Sequence, residues 1–194
     1  MRLDLIVGPN GAGKSTFARH HLLPAVPGSV FVNADEIAKK RWPGQEEIHA
    51  YEAAKIAEAT RSSLIEARVA FVAETVFSHP SKLDLIRQAK ATGYTVALHA
   101  LLVPLEVSLA RVPQRVAEGG HSVPTKKIIE RYARVWPLVV QALALVDTAV
   151  VYDSSRRNAN PTPVLRTHQG LAIGPVTWPK WTPADLASAY PPAR

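Results

Sequence analysis

An α/β domain with a five-stranded, mainly parallel sheet and helices on both faces is predicted by three observations. Five short apolar runs alternate with longer segments of helical spacing between residues 3 and 153. A glycine-rich stretch, "GPNGAGKS", follows directly on the first run. Acidic residues close the second, third and fifth runs at Asp35, Glu74 and Asp153. In parallel sheets of this kind ligands bind at the carboxyl ends of the strands. The three carboxylates are therefore expected on one rim with the glycine-rich stretch.

The elements follow in order. "LDLIV" is short, apolar and followed by glycines, so it reads as a buried strand. Residues 14–23 read as a helix that ends before Pro24. "SVFVNAD" is the second strand, with Asp35 and Glu36 at its end. Residues 45–70 are rich in Ala, Glu and Lys and place Ile48, Tyr51, Ala54 and Ile56 at helical spacing, so one long helix is expected. "AFVAET" is the third strand, and residues 80–92 form a helix closed by Gly93. "TVALHALLV" is the fourth strand, residues 105–117 a helix, and "EGGHSVP" a loop. Residues 125–146 form a helix with a kink expected at Pro137, and "TAVVYD" is the fifth strand. Residues 1–155 thus form the expected core. Residues 156–194 are expected to hold a loop, a small hairpin over "VLRTHQGLAIG", and a proline- and tryptophan-rich tail. There is no internal repeat.

Gly8-Pro9-Asn10-Gly11-Ala12-Gly13-Lys14-Ser15 matches the phosphate-loop pattern G-x-x-x-x-G-K-[ST]. Glycines let the backbone curl so that successive N–H groups face inward, and the following helix adds its positive end. Gly8, Asn10, Gly11, Ala12, Gly13, Lys14, Ser15 and Thr16 are the expected nucleotide cradle. Lys14 reaches the β- and γ-phosphates of ATP and Ser15 ligates Mg²⁺. The strand before and the helix after make this the P-loop NTPase fold, a three-layer sandwich.

Composition narrows the class. The 194 residues are 47% hydrophobic and 20% charged, which fits a globular domain with a real core. No apolar run reaches the roughly 20 residues of a membrane span, and "MRLDLIVG" is not a signal peptide, so a cytoplasmic protein without membrane association is expected. The absence of cysteine excludes disulfides and thiolate metal sites. The net charge of +7 favours anionic partners, but no basic tract carries interleaved aromatics, which argues against nucleic acid.

Phosphoryl transfer to an alcohol needs positioning, charge neutralisation and a group that takes the hydroxyl proton. Asp35 and Glu74 stand on the expected rim. Asp35 is placed either to cap the next helix or to face a ligand; Glu74 is either an exposed rim carboxylate or a ligand contact. "LIVGPNGAGKSTFA", "VNADEIA", "VAETVFSH" and the pattern "GY-V-L--L-VP-E-S--R---R", in this order over about residues 3–155, resemble the zeta toxin family of bacterial kinases. The resemblance implies an ATP- and Mg²⁺-dependent kinase acting on a sugar hydroxyl, typically that of UDP-N-acetylglucosamine. It implies Asp35 as base, Glu74 and Thr75 as substrate contacts, and Arg115 as a contact of the transferred phosphate. It also implies that "VVYDSS", with Asp153, lies against adenine.

One position departs from the family pattern. The resemblance puts His121 where the family has a second phosphate-binding arginine; either His121 or a basic residue on the next helix, Arg131 or Arg134, takes that role, or the γ-phosphate is held more weakly. Family members often sit beside a small antitoxin, a further expected partner. Two other readings share the phosphate loop: a metabolite kinase of gluconate, shikimate or nucleoside type, and a nucleotide-dependent switch or nucleic-acid end-processing enzyme. A panel of acceptors separates the first. Salt-dependent oligonucleotide binding identifies the second.

Overall fold

A computed structural model describes residues 1–117, 124–157 and 159–192, the side chains of 113–117 excepted. Among these residues seven strands form one sheet in the order β2-β3-β1-β4-β5-β6-β7. The strands are β1 (Arg2–Val7), β2 (Val30–Asn33), β3 (Phe71–Thr75), β4 (Thr95–Leu102), β5 (Thr148–Asp153), β6 (Thr162–His168) and β7 (Leu171–Ala172). The first five are parallel, as expected. The strand count rises from five to seven because the C-terminal hairpin does not stand apart. β6 pairs antiparallel with β5, and β7 with β6. This covers the β5 edge, whose N–H and C=O groups would otherwise be unpaired.

Among the described residues seven α-helices flank the sheet: α1 (Lys14–Phe17), α2 (Ala34–Arg41), α3 (Ala50–Glu66), α4 (Ser81–Ala91), α5 (Leu105–Ala117), α6 (Thr125–Leu145) and α7 (Ala184–Ala189). α1 runs on as a π-turn over Ala18–Leu22 and a 3₁₀ turn over Leu23–Ala25, so the helical segment passes Pro24 rather than ending before it. Pro24 is tolerated because it opens the tighter turn, where no N–H is needed. α6 continues through Pro137 as one helix of 21 residues.

The larger core lies on the face of the sheet that carries Leu3, Leu5 and Val7, with Ile65, Ile86, Trp136, Val139 and Leu143 from α3, α4 and α6. The smaller lies on the other face, where Ile6, Val72 and Leu101 meet Ala12, Phe17 and Leu22. The proline-rich tail packs onto the larger core through α7, whose Leu186 is fully buried, and through Trp178, Trp181 and Tyr190. Trp178 Nε1 donates to the Tyr190 carbonyl at 2.7 Å, and the Tyr190 hydroxyl to the Gly170 carbonyl at 3.0 Å, which closes the tail on the hairpin turn. Among the described residues no helix is long and apolar enough to cross a membrane.

One buried charge lies in the middle of β1. Asp4 accepts from Arg2 Nε and Nη2, both at 2.7 Å, and from His99 Nε2 on β4 at 2.9 Å. Burial pushes the Asp4 carboxyl up; the hydrogen bonds from His99 and Arg2 outweigh it and hold it below the ordinary 3.8. An acid whose pKa is lowered on folding stabilises the fold above its unfolded pKa and loses that stabilisation as pH falls through the folded value. Asp4→Asn is therefore expected to cost about 2 kcal/mol at pH 7, the range for a hydrogen-bonded charge. The gap to wild type should close once the pH is below the folded pKa. Urea denaturation at pH 7 and at pH 3 measures both; a gap that is unchanged at pH 3 contradicts the assignment.

Candidate active site

The phosphate loop leaves β1 at Val7 and enters α1 at Lys14. Its outer side is braced by α5 and by the chain that follows β5. Ser108 Oγ donates to the Asn10 carbonyl at 2.6 Å, and Ser154 Oγ to the Ala12 carbonyl at 2.9 Å. Arg111 Nη1 donates to the Ser154 carbonyl at 2.9 Å and reaches the Gly11 carbonyl at 3.3 Å, while Nη2 donates to the Ser155 carbonyl at 2.9 Å. Loop carbonyls are thereby satisfied from outside; within the loop the Ala12 N–H donates to the Pro9 carbonyl at 3.3 Å. Lys14 is buried, and its Nζ donates to the Pro9 carbonyl at 2.9 Å.

β2 ends because Asn33 caps α2. Its Oδ1 accepts from the Asp35 N–H at 2.7 Å. The capping duty open to Asp35 thus belongs to Asn33, and Asp35 occupies the first turn of α2 rather than the strand end. Asn33 Nδ2 also donates to Glu74 Oε2 at 2.6 Å, and Ser15 Oγ donates to Glu74 Oε1 at 3.0 Å. Glu74 thus ties the phosphate loop to β2 from the end of β3. It is 8% exposed. Burial is the main force that pushes its carboxyl up, with Asp35 acting in the same sense; Lys14 and the Ser15 and Asn33 hydrogen bonds oppose this.

Two cavities open on this edge of the sheet. The first, about 810 Å³, runs from Gly11, Gly13, Lys14, Ser15 and Thr16 past Arg111 to Ser154, Arg156 and Arg157. The second, about 330 Å³, lies among α2, α3, the β3–α4 turn and the start of α6. Lys14, Asp35 and Glu74 line both. Thr75, Arg61, Lys82, Lys127 and Arg131 line the second alone. The turn that shapes it holds Phe77, fully buried, at φ 64°. That backbone is rare for a bulky residue, and such strain tends to gather at functional sites.

The structure brings together Lys14, Ser15, Asp35, Glu74, Thr75 and Arg131. Arg134, three residues from Arg131, is exposed, and its Nε turns back to the Glu130 carbonyl at 3.1 Å. Asp153 Oδ1 accepts from the Ser155 N–H at 2.8 Å and so shapes the loop whose Ser154 faces the first cavity. Arg115 falls in α5, with its side chain outside the described residues, and His121 lies wholly outside them. The sequence does not single out Asn33 or Arg61, yet both carry signals. Asn33 directly precedes a helix, a favoured capping position. Arg61 shares the spacing of Ala53, Ala57 and Ile65, so it is a charge on the buried stripe of α3.

Solved structures with the same fold include the complex of AvrRxo1-ORF1 with AvrRxo1-ORF2 (TM-score 0.68, 21% identity, 89% of this chain and 60% of that one). The PezAT toxin–antitoxin system of Streptococcus pneumoniae aligns with a TM-score of 0.62 at 16% identity, over 83% of this chain and 70% of that one. Shikimate kinase of Acinetobacter baumannii in complex with shikimate aligns at 0.53 and 21%, over 81% and 86%. The chain spans about 60% of the length of the AvrRxo1-ORF1 neighbour. In sequence, an uncharacterized protein of Haemophilus influenzae is 29% identical over 126 residues, 64% of this chain and 88% of that protein. Residues 2–159 match the family model for zeta toxin, and the chain belongs to the zeta toxin family.

Proposed function

We propose that the protein is an ATP-dependent kinase that moves the γ-phosphoryl group to the hydroxyl of a small acceptor. The observation that carries this is the pair of cavities meeting at Lys14, Asp35 and Glu74. A switch or a motor needs one nucleotide cleft. A kinase needs a donor site and an acceptor site that share the groups at the transferred phosphate.

The roles follow from position. The loop N–H groups and Lys14 neutralise the phosphates. Asp35 faces the acceptor cavity and takes the hydroxyl proton as the acceptor oxygen bonds to the γ-phosphorus and the bond to the β-phosphate oxygen breaks. Ser15 and Glu74 offer hard oxygen donors side by side, a set that suits Mg²⁺. The ion would neutralise charge on the β- and γ-phosphates. Arg131, and on the family pattern Arg115, hold the transferred group. Thr75 contacts the acceptor. For the acceptor itself, the family resemblance favours the sugar hydroxyl of a nucleotide sugar such as UDP-N-acetylglucosamine. The fold shared with shikimate kinase keeps other metabolite alcohols in the panel. A partner protein of antitoxin type is proposed as well, since the AvrRxo1 and PezAT neighbours are, by their names, a complex and a toxin–antitoxin system.

Lys14→Ala tests the donor side. Loss of one buried charge at the phosphates is expected to lower turnover by about 10²–10³-fold. ADP release, measured with Mg-ATP and an acceptor panel that includes UDP-N-acetylglucosamine and shikimate, reads this out. Turnover of the variant at the wild-type rate would refute the kinase reading of this loop.

A further inference from the structure

Arg111 of α5 stands where the phosphate loop meets the chain that follows β5. Its Nη1 donates to the Ser154 carbonyl at 2.9 Å and reaches the Gly11 carbonyl at 3.3 Å, while Nη2 donates to the Ser155 carbonyl at 2.9 Å. One planar guanidinium thus holds three carbonyls in two segments that are far apart in sequence. The packing is close, since a Cβ at Gly11 would stand 3.2 Å from that of Arg111. Ser154 Oγ adds a second link by donating to the Ala12 carbonyl at 2.9 Å. Asp153 Oδ1 accepts from the Ser155 N–H at 2.8 Å and fixes the turn that carries these carbonyls.

The surroundings work against the charge. Arg111 is half-buried, desolvation pushes its pKa down, and the nearby Arg157 acts in the same sense. Among the described residues no carboxylate pairs with it. Its place is explained by geometry instead, because only a guanidinium carries its N–H donors in a rigid fork. The two segments that it joins wall the first cavity, the phosphate loop on one side and Ser154, Arg156 and Arg157 on another. A wall already held in place binds a ligand without the entropy loss of ordering it.

We propose that Arg111 is a positioning residue for the nucleotide. It latches the chain after β5 to the phosphate loop, so that the wall that receives the nucleoside and the cradle that receives the phosphates act as one body. Arg111 works through the two backbones that it holds. Without it the phosphate loop keeps the bond from Ser108 Oγ to the Asn10 carbonyl at 2.6 Å, whereas the Ser154 and Ser155 carbonyls lose theirs. The nucleoside side therefore loosens more than the phosphate side. The assignment rests on the donor half of the proposed function, ATP in the phosphate loop.

Calorimetric titration in Mg²⁺ with a non-hydrolysable ATP analogue, and with tripolyphosphate, which lacks the nucleoside, tests this. Wild type should bind the analogue more tightly. Arg111→Lys keeps the charge but cannot span three carbonyls. It should weaken the analogue about tenfold, the equivalent of one or two hydrogen bonds, and tripolyphosphate much less. Ser154→Ala removes the second link and should narrow the difference between the ligands by a smaller factor. Since both substitutions open one latch, the double variant should lose less than the product of the single losses. Thermal melting reports folding; if Arg111→Lys fails that check, Ser154→Ala carries the test. Equal losses for both ligands, or no loss, overturn the proposal. So do losses that multiply in the double variant, which would mean that Arg111 touches the nucleotide on its own account. Wild type that binds neither ligand rejects the donor site and the latch together. Binding needs no turnover, so a protein that shows the latch but transfers no phosphate rejects the kinase reading alone.

Discussion

Asp35→Ala is expected to lower phosphoryl transfer by about 10²–10⁴-fold, the span for a general base, and to leave ATP binding close to wild type. The structure makes this substitution cleaner than it first looks. Asp35 is in the first turn of α2, and the hydrogen bond that fixes this turn uses its backbone N–H and the side chain of Asn33. Alanine keeps that bond and is a good helix former. The change in stability should therefore stay within about 1 kcal/mol, the loss of one acid from the first turn of a helix. The competing base is Glu74. Its two oxygens already accept from Ser15 and Asn33, and it is more deeply buried than the half-buried Asp35. It is better suited to hold the site together than to face a substrate. Rapid-quench measurement of transfer, beside equilibrium binding of the ATP analogue, checks the expectation. Wild-type transfer by the variant would remove Asp35 from the role of base.

The zeta-type pattern in the sequence has a physical reading once the contacts are seen. In "GY-V-L--L-VP-E-S--R---R", Gly93 closes α4 at φ 83°. The Tyr94 hydroxyl sits 2.9 Å from the carbonyls of Leu64 and Val69 and ties α4 to the end of α3. Ser108 and Arg111 brace the phosphate loop from behind. Much of a motif that signals a kinase is thus the scaffold that keeps the cradle in shape.

The same comparison shows why some boundaries were legible and others were not. α3 and α4 end in the same way. Tyr94 N–H donates to the Ala89 carbonyl and Gly93 N–H to that of Lys90; Val69 N–H donates to the Leu64 carbonyl and Arg68 N–H to that of Ile65. Both are Schellman endings, but the left-handed position holds glycine in one and Arg68, at φ 53°, in the other. Glycine announces the stop in sequence; arginine does not, so the expected helix over 45–70 overruns its C-terminus. Its start is late for another reason. The Pro43–Gly44 bend is bracketed by Trp42 and His49, whose rings stack with centroids 4.4 Å apart, and the chain runs in turns until α3 begins at Ala50. The cradle and its carboxylates were legible because backbone chemistry fixes their spacing. The wall of the second cavity was legible only in part: Arg131 stood out in the sequence, whereas Arg61, Lys82 and Lys127 join it from three helices only in the folded chain.

Gly8→Ala is the second large effect expected. A Cβ at Gly8 would stand 2.5 Å from the Leu101 carbonyl oxygen, and the backbone there has φ +146°. Leu101 belongs to β4, held between β1 and β5, so its carbonyl has nowhere to retreat. Backbone strain of about 1–3 kcal/mol then adds to a similar overpacking cost. Together they should lower the melting temperature by roughly 10 °C in a chain of this size. Nucleotide affinity should fall with it, because the loop must shift to make room. Gly93→Ala is the matched control. Its φ of +83° is also left-handed, but nothing lies within 4 Å of the added Cβ. It should cost about 1 kcal/mol, the intrinsic penalty of that conformation, and leave nucleotide binding intact. Calorimetric melting of both variants separates close approach from conformation. Equal losses would mean that the glycine at the head of the phosphate loop is there for its backbone angle alone.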